Sequence, residues 1–581
     1  MNKTLVFIIF AVIFNIGAYA QRSDEDTLKS SDVYIVREYQ PRISDAFKLS
    51  NNPKVLDTVI NINQQAAYNV KDVQAETEFQ TEPIKPAKMK GEPLSKLYRA
   101  YVLLGAGNNL STRGEFILNS IRSRKWDYGL KAWHHGSNGN VPKRGASNFS
   151  DNKIDLYGKK FFYNKILSAN LNYGLNTLHY YGFDESLFPN IILENELSKD
   201  NIATSYQNIA PEVNFKTYFK DSTAINSEFN LKFTNYTNRA NSIENSIRID
   251  LDLDRYYDDN FAQLGLFLDY NQFRFDPLVG GIIPEFSNTI FGFKPQVTAG
   301  QNKWKVTVGI EGNISSDTLT DFNIYPHLYA KYDLVEGLLI PYLGLRGGLE
   351  RNNFKSLTQV NPYVREDILT NNRNNRVEVY GGIRGQFSSN SSYNITVSHK
   401  IVDNMPLFVN DSTFYGTVSA NNQFGVVYDN VQITQIGAEF GLQKINKFNG
   451  LIRGDYFVYN LENQKAAWNM PDFKVTLSGW YDISDKIVFT ADIIAVSTRS
   501  SFSINPNDGY DLGDGIYSKQ LDGLVDLNLG IEYFFTKRFT AFIRSYNLAN
   551  QNYQFYNQYN TQGITIIGGI SYSFWGNRKE R

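Results

Sequence analysis

Apolar and polar residues alternate along most of this chain, and the stretch "SIRIDLDLDRYYDD", Ser246 to Asp259, shows the pattern without interruption: Ile247, Ile249, Leu251 and Leu253 interleave with Arg248, Asp250, Asp252 and Asp254. A period of two places successive side chains on opposite faces of a β-strand, so this stretch predicts a strand with one apolar and one charged face. From about Leu94 onward the same unit recurs: ten or more alternating residues, a tight polar turn, ten or more again, then a longer polar loop. Short turns are expected near Ser123-Arg124, Asn164, Asp221, Asp259, Gln301-Asn302, Val335-Glu336, Ser389-Asn390, Asn446, Ser484-Asp485 and Thr536-Lys537. Long loops rich in Asn, Asp, Ser and Pro separate the hairpins, at Asp184–Asn201, Arg351–Asn375 and Ser497–Gly515. A first strand over Lys96–Gly107 and a last over Gly563–Phe574 bring the expected number to about 22, within a range of roughly 18 to 24.

Short turns alternating with long loops is the asymmetry of a transmembrane antiparallel β-barrel, with turns in the periplasm and loops outside. Ten residues at ~3.3 Å each, tilted by ~45°, cross roughly the 25 Å apolar band of such a barrel. A soluble propeller or a string of sandwiches would need every strand to bury one face against another sheet, and the regular Asp, Lys and Arg positions argue against that.

Composition narrows the class further. The 581 residues include 40 Phe, 38 Tyr and 42 Gly, and no Cys. Mean hydropathy is -0.37, and beyond the first twenty residues no run approaches the ~18 apolar residues of a spanning helix. In a barrel only alternate residues meet lipid, so mean hydropathy stays low while aromatics collect at the interfaces. With 58 basic against 59 acidic side chains, no long-range field draws in nucleic acid, and none is expected as a partner. The lack of Cys excludes thiolate metal sites, Cys nucleophiles and an N-terminal lipidated Cys. "MNKTLVFIIFAVIFNIGAYA", residues 1–20, reads as a secretory signal peptide with Lys3, an apolar core and an Ala18-Tyr19-Ala20 cleavage site.

The C-terminal stretch "FIRSYNLANQNYQFYNQYNTQGITIIGGISYSF", Phe542 to Phe574, resembles the closing strands of TonB-dependent receptor barrels: an Asn-Leu turn, a Tyr-rich loop and a Gly-containing strand ending in Phe. That resemblance implies a bacterial outer-membrane location, transport of a solute not identified by the sequence, and contact with outer-membrane lipid. Tyr572, Phe574 and Trp575 resemble the terminal signal read by the barrel-assembly machinery. The Asn-rich, Cys-free composition resembles outer-membrane proteins of Bacteroidota. Such receptors carry a plug of roughly 130 residues before the barrel, whereas residues 21–93 are too few for a standard plug and are expected to form a periplasmic or intraluminal segment before a barrel at 94–581. Within it, "DVYIVREY" offers Val33, Tyr34, Ile35 and Val36 as a strand that could add to the edge of TonB or of another partner. The alternatives to a receptor-transporter are a plugless porin-like channel or a barrel that anchors a surface assembly or secretion complex.

Candidate chemistry is sparse. Asp250, Asp252 and Asp254 copy the opening of a calcium loop, but position six is Arg255 and position twelve Phe261, in place of the required Gly and Glu. On a strand the three carboxylates stand ~6.6 Å apart, so they read instead, with Arg248, Lys131 and His135, as a water-facing lumen wall. Arg122, Arg124 and Asp127 lie on or near the same hairpin as Lys131. "HGSNG" from His135 is similar to the motif of outer-membrane phospholipase A; the resemblance would make Ser137 a nucleophile, His135 its base and Asn148 the orienting residue. His135, however, shares the expected lumen face with Lys131, while that enzyme works at the lipid face. The chain is therefore expected not to be an enzyme, and no cofactor or metal is expected. "NPYV", Asn361 to Val364, lies inside a long loop and could help fold that loop inward.

Overall fold

A computed structural model of the protein describes residues 97–576, apart from 220, 222, 276–284, 318–319, 412–413, 416–417, 446, 504–509 and 514. The expected signal peptide, the segment 21–93 and, with it, Val33–Val36 lie outside the described residues. The described chain forms one 22-stranded antiparallel sheet, running from Tyr98–Gly107 to Thr565–Gly576. The first and last strands pair with each other from Tyr98 opposite Gly576 to Gly107 opposite Ile567, which closes the sheet into a barrel and leaves it no edge. Among the described residues no helix is long and apolar enough to cross a membrane.

The expected turns are where the strands reverse. Asp258-Asp259 joins Ile243–Tyr257 to Asn260–Arg274, and Asn302-Lys303 joins Glu285–Gln301 to Trp304–Ser316. Asp258 has φ of 50°, the left-handed geometry that a two-residue hairpin of the favoured twist requires and that Asp tolerates. The last strand starts two residues later than the pattern predicts, at Thr565, and continues to Gly576.

Exposure follows the alternation. Ile247, Leu264, Leu268, Val308 and Ile310 stand exposed on the outer face, where lipid replaces water. Next to the short turns Trp126, Tyr256, Trp304, Tyr332, Trp480 and Tyr533 are also exposed, forming the aromatic girdle that holds a barrel at the membrane boundary. Tyr572 and Phe574 share this outer face with their rings stacked at 6.1 Å, and Trp575 follows. A closed barrel with an apolar outer band and an aromatic girdle is built for the bacterial outer membrane.

The closing seam depends on small residues. Gly105 lies opposite Gly569, and Ala106 opposite Gly568. A Cβ added at Gly107 would come 2.0 Å from the Ile566 carbonyl oxygen, and one at Gly569 would come 2.2 Å from that of Leu104. Only glycine permits this approach. Opposite the turns, the hairpin Ser391–Asp411 and Gln423–Ile445 is much longer than its neighbours at 21 and 23 residues. At ~3.3 Å per residue it rises far beyond the membrane. Its upper part packs Val402, Met405, Leu407 and Val431 around the fully buried Trp468 of the following loop.

Candidate functional site: a loop clasp at the outer mouth

The loop between Glu350 and Arg373 folds back onto the barrel wall. It opens with Arg351, whose guanidinium lies 3.0 Å from Asp269 and also donates to the Asp269 carbonyl oxygen. Asp269 in turn faces Arg248 at 3.5 Å, and Arg248 pairs with Asp250 at 2.8 Å. The charged ladder of the strand Ile243–Tyr257 therefore continues into the loop as Asp250–Arg248–Asp269–Arg351. Alternating signs let each charge compensate the next in a half-desolvated place.

The helix Phe354–Val360 follows. Asn353 caps it in a reciprocal capping box with Ser356, satisfying donors that a short, inward-facing helix could not leave bare. Phe354 and Leu357 are buried. The Phe354 ring stacks on Phe273 at 4.9 Å and meets Tyr236 and Tyr206 at 5.9 and 6.2 Å. These three aromatics sit on different wall strands at the loop end, with Tyr236 and Phe273 both in register with Glu244. Their polar tips are used as well. The Tyr236 hydroxyl bonds the Thr358 hydroxyl at 2.8 Å, Tyr206 donates to the Pro362 carbonyl at 2.8 Å, and the Lys355 N–H donates to Glu244 at 3.4 Å. Amphipathic tyrosines thus grip the loop with both ring and hydroxyl.

"NPYV" completes the turn inward. The Asn361 side chain accepts from the Tyr363 N–H at 3.1 Å, and Asn361 and Val364 are fully buried. Val364 makes a parallel bridge to Phe424 at the start of the long strand Gln423–Ile445. Tyr363 stacks on Tyr559 of the last long loop at 3.5 Å, Tyr181 of a third loop packs edge-on against Tyr559 at 4.9 Å, and Tyr556 donates to the Val360 carbonyl at 2.8 Å. Burial pushes the Tyr363 phenol well above its ordinary pKa and raises that of Tyr181, so both remain neutral donors at physiological pH. On the rim, Arg365 pairs with Asp367 and, at 2.7 Å, with Asp411; the hydrogen bond that Arg365 donates to Asp367 is the main cause that raises its pKa. Three separate loops and the start of the strand Gln423–Ile445 are so joined around one aromatic centre.

The residues singled out from sequence fall at different places. Arg248 and Asp250 join the ladder that holds Arg351, Asp254 accepts from Asn226 at 3.3 Å, and Asp252 lies on the same strand face. Lys131 pairs with Glu115 at 3.6 Å on another stretch of wall. His135 sits beside Trp133 and Phe149, with ring centroids at 6.1 and 5.4 Å. Ser137 donates to Gln562 and to the Asn109 carbonyl, and the Asn148 carbonyl accepts from His179. Ser137 and the Asn148 carbonyl thus bond to separate partners, and the His135 ring is held by aromatic contacts. Arg351, Asp269, Phe354, Tyr206 and Tyr236 had no local sequence signal; only "NPYV" hinted at the clasp.

A closed 22-strand barrel whose loops pack inward on its wall and on one another has solved counterparts. The chain shares the fold of solved siderophore receptors. Its structure superposes on the siderophore receptor PirA from Acinetobacter baumannii with a TM-score of 0.63, at 11% identity, covering 83% of this chain and 81% of that one. The pyoverdine outer membrane receptor FpvA from Pseudomonas aeruginosa PAO1 gives 0.61 at 11% identity over 83% and 79%. The FrpB iron transporter from Neisseria meningitidis gives 0.61 at 8% identity over 83% and 82%. These solved proteins are named as receptors and a transporter. No family model matches the sequence, and no curated protein is a significant match.

Proposed function

We propose that the protein is an outer-membrane receptor-transporter: solute is captured at the loop-covered outer mouth, the clasp releases, and the solute descends along the charged inner wall. One observation carries this reading. The segment from Arg351 to Val364 is docked inward on Tyr206, Tyr236 and Phe273 by stacking and hydrogen bonds, so this loop is held at the mouth by contacts that a ligand can replace. Iron-chelate complexes are the first solutes to test, because the solved receptors that share the fold are named for them. Arg248, Asp250, Asp252, Asp254, Lys131 and His135 would line the path. Residues 21–93 would provide the gate or the coupling arm, with Val33–Val36 offered to TonB. Tyr572, Phe574 and Trp575 would address the chain to the assembly machinery.

The test is reconstitution of the full chain in planar bilayers together with titration of ferric chelates against its intrinsic tryptophan fluorescence. Barrels that do not conduct but bind a chelate saturably, with an affinity that changes once Arg351 and Phe354 are replaced by Ala, support the reading. Wild-type barrels that conduct freely and bind no chelate would sink it.

A further inference from the structure

The outer face of the strands Thr112–Asn119, Trp126–Ser137, Phe149–Phe161 and Lys165–His179 is ordered in rows by its register. The row Leu118, Leu130, Leu156, Leu171 is wholly apolar, and the next row toward the loops is Phe116, Ala132, Ile154, Tyr173. Above it come Gly114, His134, Asn152, Leu175, and then Thr112, Gly136, Ser150, Thr177. Polarity therefore begins abruptly at His134. Eight residues separate His134 from the girdle residue Trp126; at ~3.3 Å per residue and ~45° tilt, that is about 19 Å up a band of ~25 Å. His134 stands near the outer lipid–water boundary, where lipid ester groups lie.

At this height three side chains form a relay. The Thr112 hydroxyl is 2.8 Å from His134 Nε2, and His134 Nδ1 is 2.7 Å from Asn152 Oδ1. The amide nitrogen of Asn152 donates to Ser150 Oγ at 2.9 Å and to the Leu175 carbonyl at 3.4 Å, which fixes its oxygen toward the imidazole. An acceptor at Nδ1 places the ring proton there and leaves the Nε2 lone pair for the Thr112 O–H. Hydroxyl, imidazole and amide in this order meet the geometric requirement for an activated oxygen nucleophile. Thr112 is exposed, and Gly114 beside His134 offers no side chain to cover it; a Cβ there would meet only the His134 Cβ, at 3.8 Å. Below, the leucine row with Tyr128 and Gly158 lines a shallow apolar groove of about 430 Å³ on the same wall.

We propose that Thr112, His134 and Asn152 form an acyl-transfer site open to the outer leaflet, taking long-chain fatty esters whose chain lies in the leucine groove. Thr112 Oγ attacks the ester carbonyl carbon while its proton passes to His134 Nε2. The carbon–oxygen bond to the alcohol breaks, and the alcohol leaves with that proton. Water then attacks the acyl-threonine, gives a proton to Nε2, and Thr112 departs with it, so ester and water yield acid and alcohol. Asn152 is a positioning residue that holds the imidazole tautomer. His134 is the sequence neighbour of the expected His135 but stands on the opposite face of its strand, and Thr112 and Asn152 come from the two strands beside it.

A hexadecyl fluorophosphonate tests this on the full-length wild-type protein in detergent micelles, with the adduct mapped by peptide mass spectrometry. Labelling is expected at Thr112, retained in Thr112→Ser, and reduced ~10²-fold in His134→Ala, the usual share of a general base. Asn152→Asp, which keeps an acceptor at Nδ1, should label far faster than Asn152→Leu. Release of fatty acid from phosphatidylethanolamine micelles or from lipopolysaccharide then tells which ester is the substrate. Wild-type protein of native heat-modifiable gel mobility that shows no adduct at Thr112 overturns the proposal, as does an adduct whose rate is unchanged in His134→Ala.

Discussion

At the scale of single residues, Arg351 and the seam glycines have effects out of proportion to their size. Arg351 is nearly buried against Asp269, and removal of one partner of a buried pair commonly costs ~3–5 kcal/mol. Asp269 retains Arg248, so Arg351→Ala should fall toward the lower end and act on the loop rather than on the barrel. Limited proteolysis should show cleavage within residues 351–372 that the wild type resists, with the barrel band unchanged. Gly569→Val has the opposite scope, because a side chain there meets the Leu104 carbonyl across the seam. It should abolish the heat-modifiable folded form on gels, whereas Gly158→Ala, with nothing within 4 Å of its added Cβ, should leave it intact. His134 and His135 make the same point about position: neighbours in sequence, they stand on opposite faces, one bonded to Thr112 and Asn152 and the other set beside Trp133 and Phe149.

The helix Phe354–Val360 is the element on which the clasp depends. Seven residues are too short for a helix that is stable alone, so its structure comes from the capping box and from the wall aromatics. Phe354→Ala removes a fully buried ring, a change that costs ~3–5 kcal/mol in well-packed cores. Hydrogen exchange should rise across residues 353–364 while the strands stay protected. Tyr236→Phe should have a smaller effect of the same kind, about 1 kcal/mol, since it removes only the bond to Thr358 and keeps the stacking. The strands and turns were legible because a period of two and a polar turn are local signals. The helix was not, since seven residues in a loop rich in Asn and Arg carry no stripe wide enough to reveal a helical period.

For the whole molecule, closure is what makes the parts compatible. A sheet of this size in lipid is stable only if its first and last strands pair, since an open edge would leave backbone groups without partners. The terminal aromatics lie in that last strand. Replacement of Tyr572 and Phe574 by Ser should lower the amount of protein in the outer-membrane fraction without changing the fold of the molecules that do assemble, if these residues address the chain to its assembly machinery. Cell fractionation with gel mobility separates the two outcomes.

The sequence by itself determined the barrel: the alternation sets which face of each strand meets lipid, the turns set the number of strands, and both are read from neighbouring residues. It also set the solvent on each side of "SIRIDLDLDRYYDD". Which side chains meet across strands was decided only by the tertiary structure. A period of two fixes the face but leaves the register free by steps of two residues, and register alone brings Thr112, His134 and Asn152 together. The clasp joins Arg351 to Asp269, 82 positions away, and Tyr363 to Tyr559. Contacts across such separations exist only once the sheet has closed and its loops have a common mouth to fold into.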